Sequence, residues 1–154
     1  MRFPLSCLAM LALTSPVLAQ EAPGSGTLPL SQILTTVEAG GARIVYSADW
    51  HRNGWEVVSC PGRTRMCVEE VIDATTGAVS SSERESVGTL PPEGALRASE
   101  IAAKVEALNL GRITDLEFDD RRWEVEVRNG VRRAEFRLDP ANGGVQRCEG
   151  SLCP

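Results

Sequence analysis

The chain is poor in the groups that most catalytic sites need. Among 154 residues there is one histidine, His51, and one tyrosine, and aromatic residues make up only 5%. One histidine and no nucleophile motif cannot assemble a Ser-His-Asp triad. His51 itself lies in the polar turn Asp49-Trp50-His51-Arg52-Asn53 and reads as solvated. There is no Gly-rich phosphate loop, because Gly143-Gly144 closes the turn that begins at Asp139. No C-x-x-C pair occurs, which removes the usual redox motif. Positive charge is in deficit: the formal net charge is −5. That balance disfavours a nucleic-acid partner and docking on anionic lipid. The expectation is a protein with no catalytic residue, no cofactor and no bound metal.

Residues 1–19 read as a secretory signal. Arg2 is their only charge, an apolar run follows from Leu5 to Leu13, and Val17-Leu18-Ala19 offers small residues before a cut. The run is too short to span a bilayer, and no later segment is apolar enough to do so. Cleavage would remove Cys7 and Arg2, taking the net charge from −5 to −6. The expected location is the bacterial periplasm or the exterior. Four cysteines then remain: Cys60, Cys67, Cys148 and Cys153. Behind a signal they point to disulfides, with three possible pairings. Cys60 and Cys67 flank the loop PGRTRM, and Cys148 and Cys153 enclose EGSL, so local pairing is the natural choice. Neither spacing is that of a zinc knuckle.

The strongest structural signal is the stretch Trp123–Val145, WEVEVRNGVRRAEFRLDPANGGV. Asn129-Gly130 sits between two alternating runs, which predicts a hairpin with a two-residue type I′ loop. That loop places Trp123 opposite Phe136, Val125 opposite Ala134 and Glu126 opposite Arg133. Trp123, Val125, Ala134, Phe136 and Leu138 then share an apolar face, and Glu124, Glu126, Arg133, Glu135 and Arg137 a charged one.

The order of elements repeats. Leu30, Ile33, Leu34 and Val37 predict a helix with one buried stripe, and Ser31 is a candidate cap. Strands are expected over 43–49, 55–60 and 67–73, with a short one at 78–80. At an offset of 68, Ser31, Ile33, Val37, Glu38 and Ala39 match Ser99, Ile101, Val105, Glu106 and Ala107, and Trp55-Glu56-Val57 matches Trp123-Glu124-Val125. After a two-residue shift, Asp73, Gly77 and Val79 match Asp139, Gly143 and Val145. The expected layout is a signal (1–19), a leader (20–27), a first unit (28–80), a linker (81–96), a second unit (97–147) and a C-terminal cysteine loop (148–154).

The helix Ala98–Leu108, the strand Trp123–Val127 and the turn Asp139-x-x-x-Gly143-x-Val145 resemble the PepSY domain, and the first unit matches it through Ile33–Ala39, Trp55–Val57 and Asp73-x-x-x-Gly77-x-Val79. The resemblance implies an α+β fold of PepSY/cystatin-like type, with two repeats that each pack a helix on a 3–4-stranded antiparallel sheet. It also implies an extracytoplasmic, non-catalytic module that binds or inhibits a protein such as a peptidase. An envelope accessory, or a small-ligand or metal binder using the space between units, is the alternative. Two residues are candidates for a partner surface. Trp50 falls outside the hairpin pattern, and Glu70 takes an inward position by repeat matching, where a bulge or an open face must relieve it. The other paired acids, Glu124 with Glu126 and Glu69 with Glu70, read as sheet-face charges.

Overall fold

Among the described residues, two helices and eight strands follow one another in a doubled order. They are α1 (Leu30–Ala39), β1 (Arg43–His51), β2 (Gly54–Pro61), β3 (Met66–Asp73), β4 (Val79–Ser86), α2 (Ala98–Glu106), β5 (Arg112–Asp119), β6 (Arg122–Asn129), β7 (Arg132–Leu138) and β8 (Val145–Gly150). The computed structural model describes residues 23–154. The signal at 1–19 and the first part of the leader lie outside the described residues.

All eight strands form one antiparallel sheet in the order β4-β3-β2-β1-β5-β6-β7-β8. The expected pair of repeats, each with a helix on its own small sheet, is therefore corrected. β1 and β5 pair through Ser47–Glu117, Ala48–Leu116 and Asp49–Asp115. One core runs through both halves, from Leu30 to Leu152. The physical reason is that two separate sheets would leave β1 and β5 as open edges. A unit of about 50 residues also buries only a marginal core. The residues that meet at the seam are themselves repeat-related, since Ala48 and Leu116 lie 68 positions apart. An antiparallel pair made by equivalent positions has a local two-fold axis between its members.

Equivalent residues on both sides of that axis do the same work. Trp55 and Trp123 are fully buried, and each meets another ring edge-on. Trp50 packs on Trp55 with centroids 5.4 Å apart, and Phe118 packs on Trp123 at 5.3 Å. Both helices cover the same side of the sheet. α1 buries Leu30, Ile33 and Leu34 of its expected stripe and leaves Val37 half-buried, and α2 buries Ala98, Ile101, Ala102 and Val105 while Leu108, just past its end, is exposed.

Ser31 does not cap its own helix. Its N–H and hydroxyl donate to Glu106 at the end of α2, at 3.3 and 2.6 Å. Ser99 donates in the same way to Glu38 at the end of α1, at 3.2 and 2.5 Å. The helices are thus antiparallel neighbours, and each satisfies the other's first turn with a carboxylate.

Three local expectations also change. The β6–β7 loop is Gly130-Val131, because Asn129 pairs with Arg132. Only Gly130 of the two loop residues has positive φ, +61°, the glycine-first pattern of a type II′ turn. Trp123 therefore faces Leu138, Val125 faces Phe136, and Glu126 faces Glu135. The shift is an even number of residues, so the apolar and charged faces stay as read. Next, the short strand at 78–80 extends to Ser86, so β4 takes the first residues assigned to the linker. Lastly, Cys148 lies within β8 and does not follow it.

Candidate functional site

The helices cover one face of the sheet. On the other face a small cluster of Val58, Cys60, Cys67 and Val87, with Tyr46 and Leu90 against it, covers only one end of β2 and β3. Among the described residues no element packs on the rest of this face. Period-2 alternation sends most polar residues of β1, β5, β6 and β7 there.

Those polar residues line up. Register pairs join Glu56 to Asp49, Asp49 to Asp115, Asp115 to Glu126, Glu126 to Glu135, and Glu135 to Glu149. The result is a row of carboxylates across six adjacent strands, β2, β1, β5, β6, β7 and β8, at about 4.8 Å per strand. Glu117 and Glu124 form a further acidic pair one step along. The ion pairs found on this face among the described residues all lie toward β6–β8. Arg128 reaches Glu126 at 2.6 Å, Arg133 reaches it at 3.6 Å, Arg137 lies 3.1 Å from Glu124, and Arg147 contacts Glu149. Among the described residues Glu56, Asp49 and Asp115, on β2, β1 and β5, have no arginine pair of this kind.

The electrostatics follow the geometry. Burial pushes the Asp115 carboxyl up to about 7, helped by Asp49, Glu117, Glu126 and Glu124. Burial also raises Asp49, with Glu56 adding to the effect and His51 opposing it. Tyr46 is pushed up to about 12 by burial and by Glu117, to which its hydroxyl donates at 3.2 Å. At Glu126 burial acts upward too, but hydrogen bonds from Arg128 and Thr114 outweigh it and leave the group below its ordinary value. Asp49, Asp115, Glu117, Glu124, Glu126 and Glu135 line a depression of about 350 Å³. Such a surface concentrates cations and cationic side chains.

The residues singled out from sequence end up in different places. Trp50 is buried in the core at 4% exposure, so it is not a partner surface; at an offset of 68 it is the counterpart of Phe118. Glu70 stays on the helix side opposite Val57 and is relieved by an ion pair with Arg43 at 2.5 Å. The bulge expected in this strand is not there: β3 pairs with β2 without a break, and the unpaired residue in the β3–β4 ladder is Ser80 of β4. Cys60 bonds to Cys67 and Cys148 to Cys153, the local pairing. His51 is exposed at the end of β1. Glu69, Glu124 and Glu126 lie on the open face. The in-register row escaped the sequence reading because pairing between β1 and β5 was not foreseen. Among the described residues no group of three or more His, Cys, Asp or Glu is arranged to hold a metal ion. None of their helices is long and apolar enough to cross a membrane.

No family model matches the chain, and no curated protein matches it. Among solved structures it is similar to a candidate lipoprotein of Clostridium difficile 630, with 11% identity and a TM-score of 0.49, over 83% of this chain and 96% of that one. Similarity at that level assigns neither a family nor an activity.

Proposed function

We propose that the protein is a non-catalytic, extracytoplasmic module that binds a cationic segment of a partner protein on its open sheet face. The observation behind this reading is the row Glu56-Asp49-Asp115-Glu126-Glu135-Glu149. Like charges directly opposite each other destabilise a sheet, so the row is a standing cost to the fold. Among the described residues, arginines offset it on β6 to β8 and not at Glu56, Asp49 or Asp115. A basic segment laid across the strands would offset the remainder. Two disulfides fit an oxidising compartment. The PepSY-like motifs favour binding over catalysis and suggest a peptidase as the partner class, in which case binding should lower the peptidase's activity.

The test is fluorescence anisotropy with a labelled deca-arginine peptide. Binding should weaken about tenfold as ionic strength rises from about 0.01 to about 0.1 M, where the Debye length falls from ~30 to ~10 Å. The triple variant D49N/D115N/E117Q should lose most of the affinity. A control with E93Q/E100Q, acids remote from the row, should keep it. Binding that ignores the triple variant, or no binding at low salt, would sink the reading.

A further inference from the structure

The two halves act as internal controls for each other. β3 and β4 pair at Val68–Arg84, Glu70–Ser82, Val71–Ser81 and Ile72–Val79. β7 and β8 pair at Ala134–Gly150, Phe136–Cys148, Arg137–Arg147 and Leu138–Val145, each 66 positions later and with the irregularity at the same place. Every residue of one ladder therefore has a known counterpart in the other. Where the second half has Phe136, 1% exposed, the first has Glu70; where it has Cys148, the first has Ser82. Lys104 of α2 corresponds to Thr36 of α1.

These exchanges close one groove and open the other. A Cβ built on Gly143 would lie 2.5 Å from Cδ of Lys104 and 3.1 Å from Leu96. Built on the counterpart Gly77, it meets only Leu28, at 3.7 Å. The first half is left with a groove of about 450 Å³ between α1 and β3–β4, with Ile33, Val37 and Ile72 on its floor. Glu70 at its side is already paired with Arg43. Its two charged lining residues are thus paired with each other, and Ile33, Val37 and Ile72 give it an apolar part beside Gln32, Thr36 and Thr76 that suits a neutral apolar side chain. Its volume is within the range of sites that hold small ligands and side chains.

The way in is an open strand edge. β4 ends the sheet, and all its residues are exposed. Its helix-side residue next to Glu70 is the small Ser82. The opposite edge, β8, is different. There the Cys148–Cys153 bridge holds the segment that follows β8, and Leu152 is buried in the core.

We infer that the groove beside α1 is a docking site for an extended polypeptide that pairs along β4 and inserts one large apolar side chain, phenylalanine first, into the space lined by Ile33, Val37 and Ile72, beside Glu70 where the other half has Phe136. Strand addition supplies main-chain hydrogen bonds, and alternation delivers every second side chain to the groove side. The inference is independent of the acidic face, which lies on the other side of the sheet.

The test is an amide NMR titration of the full chain with acetyl-Thr-Ser-Phe-Ser-Thr-amide, against the same peptide with Ala for Phe. The Phe peptide should shift Val37, Ile72 and Ser80 to Arg84, and the Ala peptide should not. Thr36→Phe, which fills the groove, should remove the groove shifts, as should Thr36→Lys, which installs the counterpart residue. D49N/D115N/E117Q should change nothing here. The inference fails if no shifts appear, if they lie elsewhere, or if both Thr36 variants keep them. It also fails if toluene moves the groove amides while the Phe peptide does not, which would make this a small-molecule site. Shifts that grow with protein concentration alone would make the occupant a second copy, and overturn it as well.

Discussion

Asp115 carries the cost of the acidic row at a single residue, and its titration gives that cost a sign. Its folded carboxyl is raised from an ordinary 3.8 to about 7 by burial and by the acids around it. Below 3.8 the carboxyl is protonated folded or unfolded, and it has no effect. Between 3.8 and about 7 the unfolded chain releases the proton while the folded chain keeps it, so stability falls as pH rises. Above about 7 the penalty is complete. Asp115→Asn should therefore leave stability at pH 3 unchanged and raise it at pH 8. At 1.36 kcal/mol per unit the full shift is worth about 4 kcal/mol; screening on a partly open face reduces this to about 1–2 kcal/mol. Urea unfolding of both proteins at the two pH values checks it, and equal gains at both would remove the electrostatic account. Cysteine pairing was legible because both partners are close in sequence. The burial of Trp50 was legible in principle, through its match to Phe118, but was masked by the polar turn beside it. Repeat matching put Glu70 at an inward position, but a bulge or an open face was expected to relieve it, and neither does. What relieves it, Arg43, lies 27 positions away, and no local pattern announces such a partner.

At the scale of elements, the exchange of carboxylates between helices carries a prediction that ordinary capping does not. The Ser99–Glu38 pair is buried, at 8% and 5% exposure, whereas Ser31–Glu106 is half-buried. Removing a cap costs about 1 kcal/mol, and leaving a buried acceptor short of a donor adds about 1–3 kcal/mol. Ser99→Ala should therefore destabilise by about 2–4 kcal/mol and Ser31→Ala by about 1 kcal/mol, read from urea midpoints at unchanged slope. Equal losses would mean the two caps are not distinguished by burial. Glu38 itself is raised by burial, against the hydrogen bonds from Ser99, so Ser99→Ala should raise it further. Helix positions and buried stripes were legible because a 3.6-residue period is a local signal. Hairpin faces were legible for the same reason, since period 2 is local. The loop register was not, because Asn-Gly and Gly-Val offer the same parity and differ only in which residues take positive φ. Sequence did hold one further sign that went unread. Pro23-x-x-Gly26-x-Leu28 and Pro91-x-x-Gly94-x-Leu96 also lie 68 apart. Both prolines are buried, and the leucine N–H groups donate to Ala74 and Pro140, again counterparts. The segments before the two helices are therefore matching straps rather than leader and linker alone.

For the whole molecule, the decisive contact is the seam between β1 and β5, and it was the least legible feature. Alternation tells which side of a strand is buried but not which strand lies beside it. The repeat suggested two similar halves; it could not say that their first strands would join and merge the cores. Once joined, the halves share residues on both sides of the axis, with Ala48 and Leu116 both fully buried. A shared core predicts a single cooperative unfolding transition, in which the calorimetric and van't Hoff enthalpies agree. Leu116→Ala sharpens the prediction, because Leu116 touches the seam while belonging to the second half. Truncating a buried leucine costs about 2–5 kcal/mol. If the halves are one folding unit, amide exchange should speed up equally in α1 and in α2, although α1 lies in the half that was not altered. Two resolved transitions, or protection lost only in residues 98–150, would show that each half keeps its own stability and that the seam merely brings them into contact.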